Sequence, residues 1–191
     1  MKAPILTALL LMTANVACAG NPYPGLQVDV SREGARYTLL ASFDSPLSRC
    51  AAFNYLTDYE AAKLLPGVIE SSAVRAVDGK VRVDRTADEQ ILFMRIRLHS
   101  VMEYTEQAQD GIEFNQLSGD SKFFQGNWRI EPNGQGTTLR FQGQWEPDTL
   151  IPLFIIDHFA RHGLLDRFSA IAQLAQERKD VLSARCADRS D

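Results

Sequence analysis

Residues 45–68 read SPLSRCAAFNYLTDYEAAKLLPGV, and no other segment says as much about the architecture of this chain. Ser45 can accept a hydrogen bond at a helix N-cap, and Pro46 has the φ angle that suits a first helical position. The sequence therefore predicts a helix over 47–58 and a second, short helix over 59–65, which the following Pro-Gly pair ends. Two short helices in tandem, with extended segments on both sides, are the most distinctive feature of the chain.

Extended segments surround this pair of helices. A hairpin is predicted before it, with arms at 26–30 and 35–43. Six segments with strand character follow it, at 68–77, 80–86, 92–107, 112–117, 122–131 and 137–146. Tight-turn dipeptides separate several of them, namely Asp78-Gly79, Asp110-Gly111 and Asn133-Gly134. Strands this close in sequence must pair largely antiparallel.

Apolar and polar residues alternate along the later strands. Met94, Met102 and Tyr104 share one face of the segment at 92–107, whereas its arginines fall on the other. The same alternation places four aromatic residues on the apolar face of the next strands: Phe124, Trp128, Phe141 and Trp145. The predicted sheet therefore has one apolar, aromatic face and one face that contacts water.

A long helix is predicted over 153–184, after a loop at 147–152. Ser169 is assigned to its polar side, and its apolar stripe consists of Ile156, Phe159, Ala160, Gly163, Leu164, Ile171, Leu174 and Ala175. Gly163 interrupts the helix and permits either a bend or a close contact with another part of the chain.

A cavity is predicted because the helical stripe has only the apolar sheet face to pack against. A strongly twisted sheet curls away from a single helix and leaves space between them. The residues expected to bind a ligand there are Met94, Met102, Tyr104, Phe124, Trp128, Phe141, Trp145, Ile156, Ala160 and Arg167. Such a lining suits an apolar small molecule or a lipid, but the same stripes could equally form an ordinary packed core.

Arg167 is the one charged residue within the apolar arc of the long helix. Its guanidinium could bind a carboxylate or another ligand head group in the cavity. Alternatively, its stem packs against apolar neighbours and its head group reaches an acid at the surface.

No catalytic motif is present, and we predict no catalytic residue, no metal and no cofactor. His158 and His162 have the helical spacing of metal ligands, but they fall on the polar face without a third ligand and are interpreted as solvated. An enzyme would need an acid or base in the cavity, for which only Arg167, Tyr104 and the rim residues Asp157 and Arg161 qualify.

The first 19 residues have the pattern of a secretory signal peptide, with an apolar run at 5–12 that is too short to span a bilayer. We expect cleavage after Ala19 and a periplasmic or secreted protein. The alternative is a lipoprotein acylated at Cys18, although Asn15 stands where such signals have leucine. No later segment is apolar enough to cross a membrane.

The charge of the chain excludes some partners. Cleavage after Ala19 removes one lysine and no acid, which changes the net charge from −4 to −5. An acidic protein without a basic stripe is not expected to bind nucleic acid, and it lacks the basic cluster that recognises anionic lipid surfaces. A protein partner is not indicated by the sequence.

Two cysteines, Cys50 and Cys186, remain after cleavage, 136 positions apart. In an oxidising compartment they could form a disulfide, or they could be two unrelated thiols.

Four features in this order resemble the START/Bet v 1-like (SRPBCC) superfamily, specifically its polyketide cyclase/dehydrase and coenzyme Q-binding branches. They are FNYLTDYE at 53–60 followed by LLPGV at 64–68, the FQGNW strand at 124–128, GTTL at 136–139, and the long helix after Pro152 with its Gly163. The resemblance covers roughly residues 35 to 180 and implies the α+β helix-grip fold. In this fold a curved antiparallel sheet surrounds a long C-terminal helix, with two short helices after the first strand.

The resemblance implies a domain at 35–185, preceded by a leader and first hairpin arm at 20–34 and followed by a tail at 186–191. Because the short helices of this fold cradle the far end of the long helix, it also implies that Cys50 lies near Cys186 and that they form a disulfide. The family binds lipids, sterols, quinones, polyketides and hormones.

The function expected from these observations is that of an exported carrier for a lipid, an isoprenoid quinone or a polyketide-like molecule, with the rim at 147–156 gating the cavity. The alternatives are a cyclase or aromatase acting on a polyketide-like substrate, and an interaction protein that binds no ligand.

Overall fold

The computed structural model describes residues 23–91, 94–134 and 136–187. Within these residues, eight strands form one antiparallel sheet: β1 (Gln27–Glu33), β2 (Arg36–Ser45), β3 (Val68–Arg75), β4 (Val81–Ile91), β5 (Met94–Gln107), β6 (Gly111–Gly119), β7 (Ser121–Pro132) and β8 (Thr137–Pro147). The helical elements are α1 (Arg49–Thr57), a 3₁₀ helix (Tyr59–Leu64), α2 (Leu153–Glu177) and α3 (Lys179–Ala187). No helix in this part of the chain combines the length and apolarity needed to cross a bilayer.

The strand order explains why two short helices interrupt the sheet. The order across the sheet is β1-β2-β8-β7-β6-β5-β4-β3, so β2 lies near one edge and β3 forms the other. The segment with α1 and the 3₁₀ helix carries the chain from one side of the sheet to the other. The later strands then return by antiparallel neighbours until β8 pairs with β2, and α2 follows. This is the predicted helix-grip architecture, a curved antiparallel sheet with a long C-terminal helix.

The first helix begins later than the sequence predicted. Ser48 is its N-cap, and the Ser48 Oγ accepts a hydrogen bond from the Ala51 N–H at 3.3 Å. Ser45 cannot serve as the cap because it is still paired with Thr137 as the last residue of β2. The second predicted helix is present as a 3₁₀ turn rather than an α-helix.

The long C-terminal helix is divided at Arg178, which the sequence did not predict. Arg178 ends α2, and its N–H donates to the Leu174 carbonyl. The break redirects α3 toward α1, where the carboxylate of Asp58 accepts hydrogen bonds from Arg178 at 2.6 Å and from Arg185 at 3.0 Å. Leu182 of α3 is fully buried in a cluster with residues of α1 and α2.

The structure joins Cys50 and Cys186 in a disulfide, as the resemblance implied. The two Cα atoms lie 6.1 Å apart, within the usual range for such bonds. The bond ties α3 to the first turn of α1, whereas the Asp58 ion pairs hold α3 at the C-terminal end of that helix.

Ser169 lies on the buried side of α2, not on the polar side to which the sequence pattern assigned it. Its side chain is 8% exposed, and its Oγ accepts a hydrogen bond from the Tyr23 N–H at 3.2 Å. The prediction was wrong because the segment before β1 covers this face of the helix, and periodicity cannot show such a cover.

Asp58→Asn is expected to destabilise the protein by about 1–2 kcal/mol at pH 6, since it removes a partly buried anion with two charged donors. Burial alone would raise the pKa of Asp58, but the hydrogen bonds from Arg178 and Arg185 outweigh it and lower this pKa. The stabilisation is therefore present above the unfolded pKa of about 3.9 and is lost as the pH falls through the lower folded pKa.

The measurement is urea unfolding of wild type and Asp58→Asn between pH 6 and pH 3. The difference in the free energy of unfolding between the two proteins should decrease as the pH falls to 3. A difference that stays constant would contradict the stabilising role of the Asp58 carboxylate. Asp29→Asn, at an exposed site on β1, is the matched control and should follow wild type throughout.

Candidate ligand-binding cavity

A cavity of about 310 Å³ lies between the apolar face of the sheet and α2. This volume is near the lower end of the range for small-molecule sites, which is about 300–1,000 Å³. Eight aromatic residues contribute to its wall: Tyr104, Phe114, Phe124, Trp128, Phe141, Trp145, Phe159 and Phe168. The wall is thus mainly apolar and aromatic, as expected for a site that takes an apolar molecule. Its polar members, most of which the sequence analysis did not identify, are Arg85, Glu89, His99, Ser100, Gln116, Asp120, Ser121 and Arg167.

Most of the side chains predicted to surround a ligand do line this cavity. They are Met102, Tyr104, Phe124, Trp128, Phe141, Trp145 and Arg167. Six of the seven lie on strands, where the alternation of apolar and polar residues had placed them on one face.

Met94, Ile156 and Ala160 lie outside the cavity lining. Ile156 and Ala160 are 2% and 0% exposed and belong to the packed core, so the first turns of α2 are in solid contact with their surroundings. Met94 lies at the end of the β4–β5 ladder, opposite Ile91. Residues on the apolar face of a strand or helix need not all line the cavity, because that face extends beyond the cavity.

Part of the interior is a packed core rather than a void. The Phe168 ring of α2 lies 5.1 Å from that of Phe141 and 5.9 Å from that of Trp128, and the Phe114 and Phe141 rings stack at 6.0 Å. These contacts hold α2 against the sheet at one side of the cavity. The packed-core alternative is therefore correct for this side of the interior.

The helical side of the cavity was only partly anticipated. Phe159, Gly163, Leu164, Phe168 and Ile171 contribute to it. All but Phe168 were recognised as part of the apolar stripe, although none was proposed to contact a ligand. Phe168 continues the same helical spacing from Leu164, so the signal was present in the sequence.

Gly163 makes the close contact that the sequence allowed. A Cβ atom at this position would lie 2.7 Å from the Phe159 ring. Glycine therefore lets the Phe159 ring lie directly over the helix backbone, where it also lines the cavity.

Two charged side chains of opposite sign form an ion pair at the cavity wall: Arg167 of α2 and Glu89 of β4. Their side chains are 22% and 21% exposed. The sequence allowed Arg167 to meet either a ligand or an acid, and in this structure it meets an acid. Glu89 was missed because β4 was predicted to end at residue 86, whereas it continues to Ile91.

The rim that was predicted to gate the cavity does not border it. Within the described residues, none of those at 147–156 lines the cavity, and neither does Asp157 or Arg161. Asp157 instead accepts hydrogen bonds from Arg32 at 2.7 Å and from the Tyr37 hydroxyl at 2.8 Å, and these bonds lower the pKa of its carboxyl group. It anchors the hairpin of β1 and β2 to the start of α2.

The paired histidines lie at the surface of α2. Their rings stack at 4.5 Å, and the Nδ1 of His162 is 2.9 Å from the His158 carbonyl oxygen. Among the residues that the structure describes, no group of three or more His, Cys, Asp or Glu side chains is arranged to hold a metal ion.

A curved antiparallel sheet, a pair of short helices and a cavity bordered by the C-terminal helix together define the ligand-binding fold of the START type. The family model described as polyketide cyclase / dehydrase and lipid transport matches residues 45–166, which is more than half of the chain. The protein belongs to this family.

Solved structures with the same fold have different functions in their descriptions. A STAR-related lipid transfer protein from Xanthomonas axonopodis matches with a TM-score of 0.66 and 16% identity, over 82% of this chain and 96% of that one. A protein from Thermus thermophilus matches with a TM-score of 0.65 and 19% identity, over 77% and 98%. The Zhui aromatase/cyclase from Streptomyces sp. R1128 matches with a TM-score of 0.59 and 12% identity, over 75% and 95%. At these identities the similarity shows the fold alone. No curated protein matches the sequence significantly.

Proposed function

We propose that this protein is an exported carrier that holds one apolar chain or ring system in the cavity between its sheet and α2. The aromatic wall of the 310 Å³ cavity is the observation on which this proposal depends. Burial of apolar ligand surface at about 25 cal/mol per Å² would supply the affinity.

A carrier fits the polar groups at the cavity better than a cyclase does. General acid–base catalysis needs an acid or base that can reach the reacting atoms. Glu89 is engaged by Arg167, and the Arg85 Nε donates to the Ser71 hydroxyl at 3.3 Å. Two further titratable residues, His99 and Asp120, line the cavity: the His99 Nε2 lies 2.8 Å from the Asp84 Oδ1, and the Asp120 carboxylate accepts from the His99 backbone N–H at 2.7 Å. The rim acid Asp157 points to Arg32 and Tyr37, outside the cavity lining. Each of these side chains is bound by another group of the protein, which favours a carrier over a catalyst.

Export is part of the proposal and has one supporting observation in the described residues. The disulfide between Cys50 and Cys186 suits an oxidising compartment such as the periplasm. The predicted signal peptide at 1–19, with its alternative acylation at Cys18, lies outside the described residues and stays a prediction.

A series of linear alcohols from octanol to dodecanol tests the carrier proposal. We expect the dissociation constant to fall about fourfold for each added methylene until the cavity is full, because each buried methylene contributes about 0.8 kcal/mol. The measurement is displacement of the neutral fluorophore Nile red, supported by native mass spectrometry of the purified protein for a stoichiometry of one.

An affinity that does not depend on chain length would contradict burial of the chain. Wild-type protein that binds neither Nile red nor dodecanol would contradict the carrier function altogether.

A further inference from the structure

A groove on the outside of the protein shares a wall with the cavity. The groove has a volume of about 560 Å³ and lies between the start of β3, the end of β4 and the middle of α2. Five residues line both spaces, namely Val68, Glu89, Phe159, Gly163 and Arg167. These residues therefore form the partition between the outer groove and the inner cavity.

The partition contains a charged element and an aromatic element that side-chain rotation can move. The ion pair of Glu89 with Arg167 connects β4 to α2. Beside it, the Phe159 ring lies over Gly163, where no Cβ atom supports it.

Gly67 keeps the groove side of the Arg167 guanidinium clear. It adopts a φ of +81°, and a Cβ atom there would lie 2.6 Å from the Asp88 carbonyl oxygen and 3.5 Å from the Arg167 Nη2. With glycine at this position, the guanidinium is covered by Glu89 on one side and borders the open groove on the other.

We propose that the ion pair of Glu89 with Arg167 is a latch at the entrance of the cavity, and that the ligand is a single-chain amphiphile whose carboxylate replaces Glu89 on Arg167. This inference rests on the proposed carrier function and adds the head group and the point of entrance. The chain lies in the aromatic cavity, and the head group lies at the partition.

The charge at the partition favours a carboxylate over other head groups. A partly buried arginine must keep an anionic partner, so a neutral head group that displaced Glu89 would leave the guanidinium unpaired. One carboxylate exchanged for another conserves the charge, and a ligand carboxylate can use the bidentate geometry that a guanidinium offers.

A doubly charged phosphate fits this site less well. Asp88 and Asp166 also line the groove. The Asp166 carboxylate would repel a second negative charge, whereas that of Asp88 is already paired with an arginine. The Asp88 carboxylate is held by Arg97 at 2.9 Å, on the wet face of the sheet.

The entrance differs from the rim at 147–156 that the sequence suggested. That segment leads into the turn of α2 where Ile156 is buried and Asp157 binds Arg32 and Tyr37. An opening there would break the core, whereas an opening at Glu89 and Arg167 exchanges one ion pair for another.

The experiment compares three probes of equal chain length at pH 8, namely dodecanoate, dodecanol and dodecyl phosphate, by displacement of Nile red. Wild type is expected to bind dodecanoate at least tenfold more tightly than either of the others. Equal or tighter binding of dodecyl phosphate would overturn the assignment of a carboxylate.

Arg167→Gln is expected to reduce the preference for dodecanoate over dodecanol to about one. Both affinities are measured on the same preparation, so a partial loss of folded protein cancels from the ratio. Arg167→Lys keeps the charge without the bidentate geometry and should give an intermediate ratio. Arg82→Gln, an exposed arginine on β4, is the matched control and should keep the wild-type ratio.

Glu89→Gln separates a latch from a simple anion site. It removes the competing carboxylate, so dodecanoate should bind several-fold more tightly and associate faster than it does with wild type. Weaker binding of dodecanoate to this variant, or an undiminished preference in Arg167→Gln, would overturn the latch. If wild type binds dodecanol but shows no preference for dodecanoate, only the latch fails; if it binds no probe, the carrier function fails with it.

Discussion

Replacement of both Cys50 and Cys186 by serine is expected to lower the free energy of unfolding by about 4 kcal/mol, the largest stability change that we predict for a local substitution. The disulfide joins residues 136 positions apart. Its loss returns a long loop to the unfolded chain, and the entropy of that loop stabilises the unfolded state. For a chain of this size, the melting temperature should fall by about 10 °C.

In the folded state, the disulfide also holds α3 in place against α1. The helix α3 has nine residues, too few to be stable in isolation, and Leu182 is its one buried residue among those described. The disulfide and the ion pairs of Asp58 with Arg178 and Arg185 hold it against α1. The double variant should therefore also be cleaved in α3 by a protease under conditions where wild type is resistant.

The measurement is thermal and urea unfolding of wild type and the double variant, each with and without a reducing agent. Reduction should bring wild type down to the stability of the double variant and should leave that variant unchanged. A loss below about 1 kcal/mol would mean that the bond contributes little beyond the neighbouring contacts.

Leu164→Trp is expected to weaken binding of dodecanol about 100-fold by filling the cavity. Leu164 lines the cavity from α2, beside Gly163 and Phe168. An indole in place of the isobutyl group would occupy space that three to four methylenes of the ligand would otherwise fill, at about fourfold in affinity for each. The measurement is the dissociation constant of dodecanol by displacement of Nile red, with unfolding curves to verify stability.

Leu40→Trp provides a matched control for this substitution. Leu40 is 41% exposed on β2, between the buried residues Leu39 and Ala41, so it projects from the outer face of the sheet. Its replacement should leave the affinity for dodecanol within about twofold of wild type. Unchanged binding in Leu164→Trp would place the ligand somewhere other than the cavity and would remove the main support for a carrier.

The sequence was most informative about features that depend on residues close together in the chain. Alternation along the strands identified the side of the sheet that bears Phe124, Trp128 and Phe141, and tight-turn signals separated the strands correctly. It was less informative at the ends of elements. Ser45 reads as a helix cap until its pairing with Thr137 is known, and β4 reads as ending before Glu89 because its last residues lack strand propensity.

The amino-acid sequence by itself was enough to predict the order of the elements, the aromatic face of the sheet and a bend or close contact at Gly163. Each of these depends on contacts or periodicities within a short segment. Tertiary structure alone decided which apolar residues border a void, such as Phe141, and which lie outside it in the packed core, such as Ile156. It also decided that Arg167 meets Glu89, a residue 78 positions away. The physical reason is that both outcomes depend on how far the sheet curves from α2, and that curvature is a property of all eight strands together.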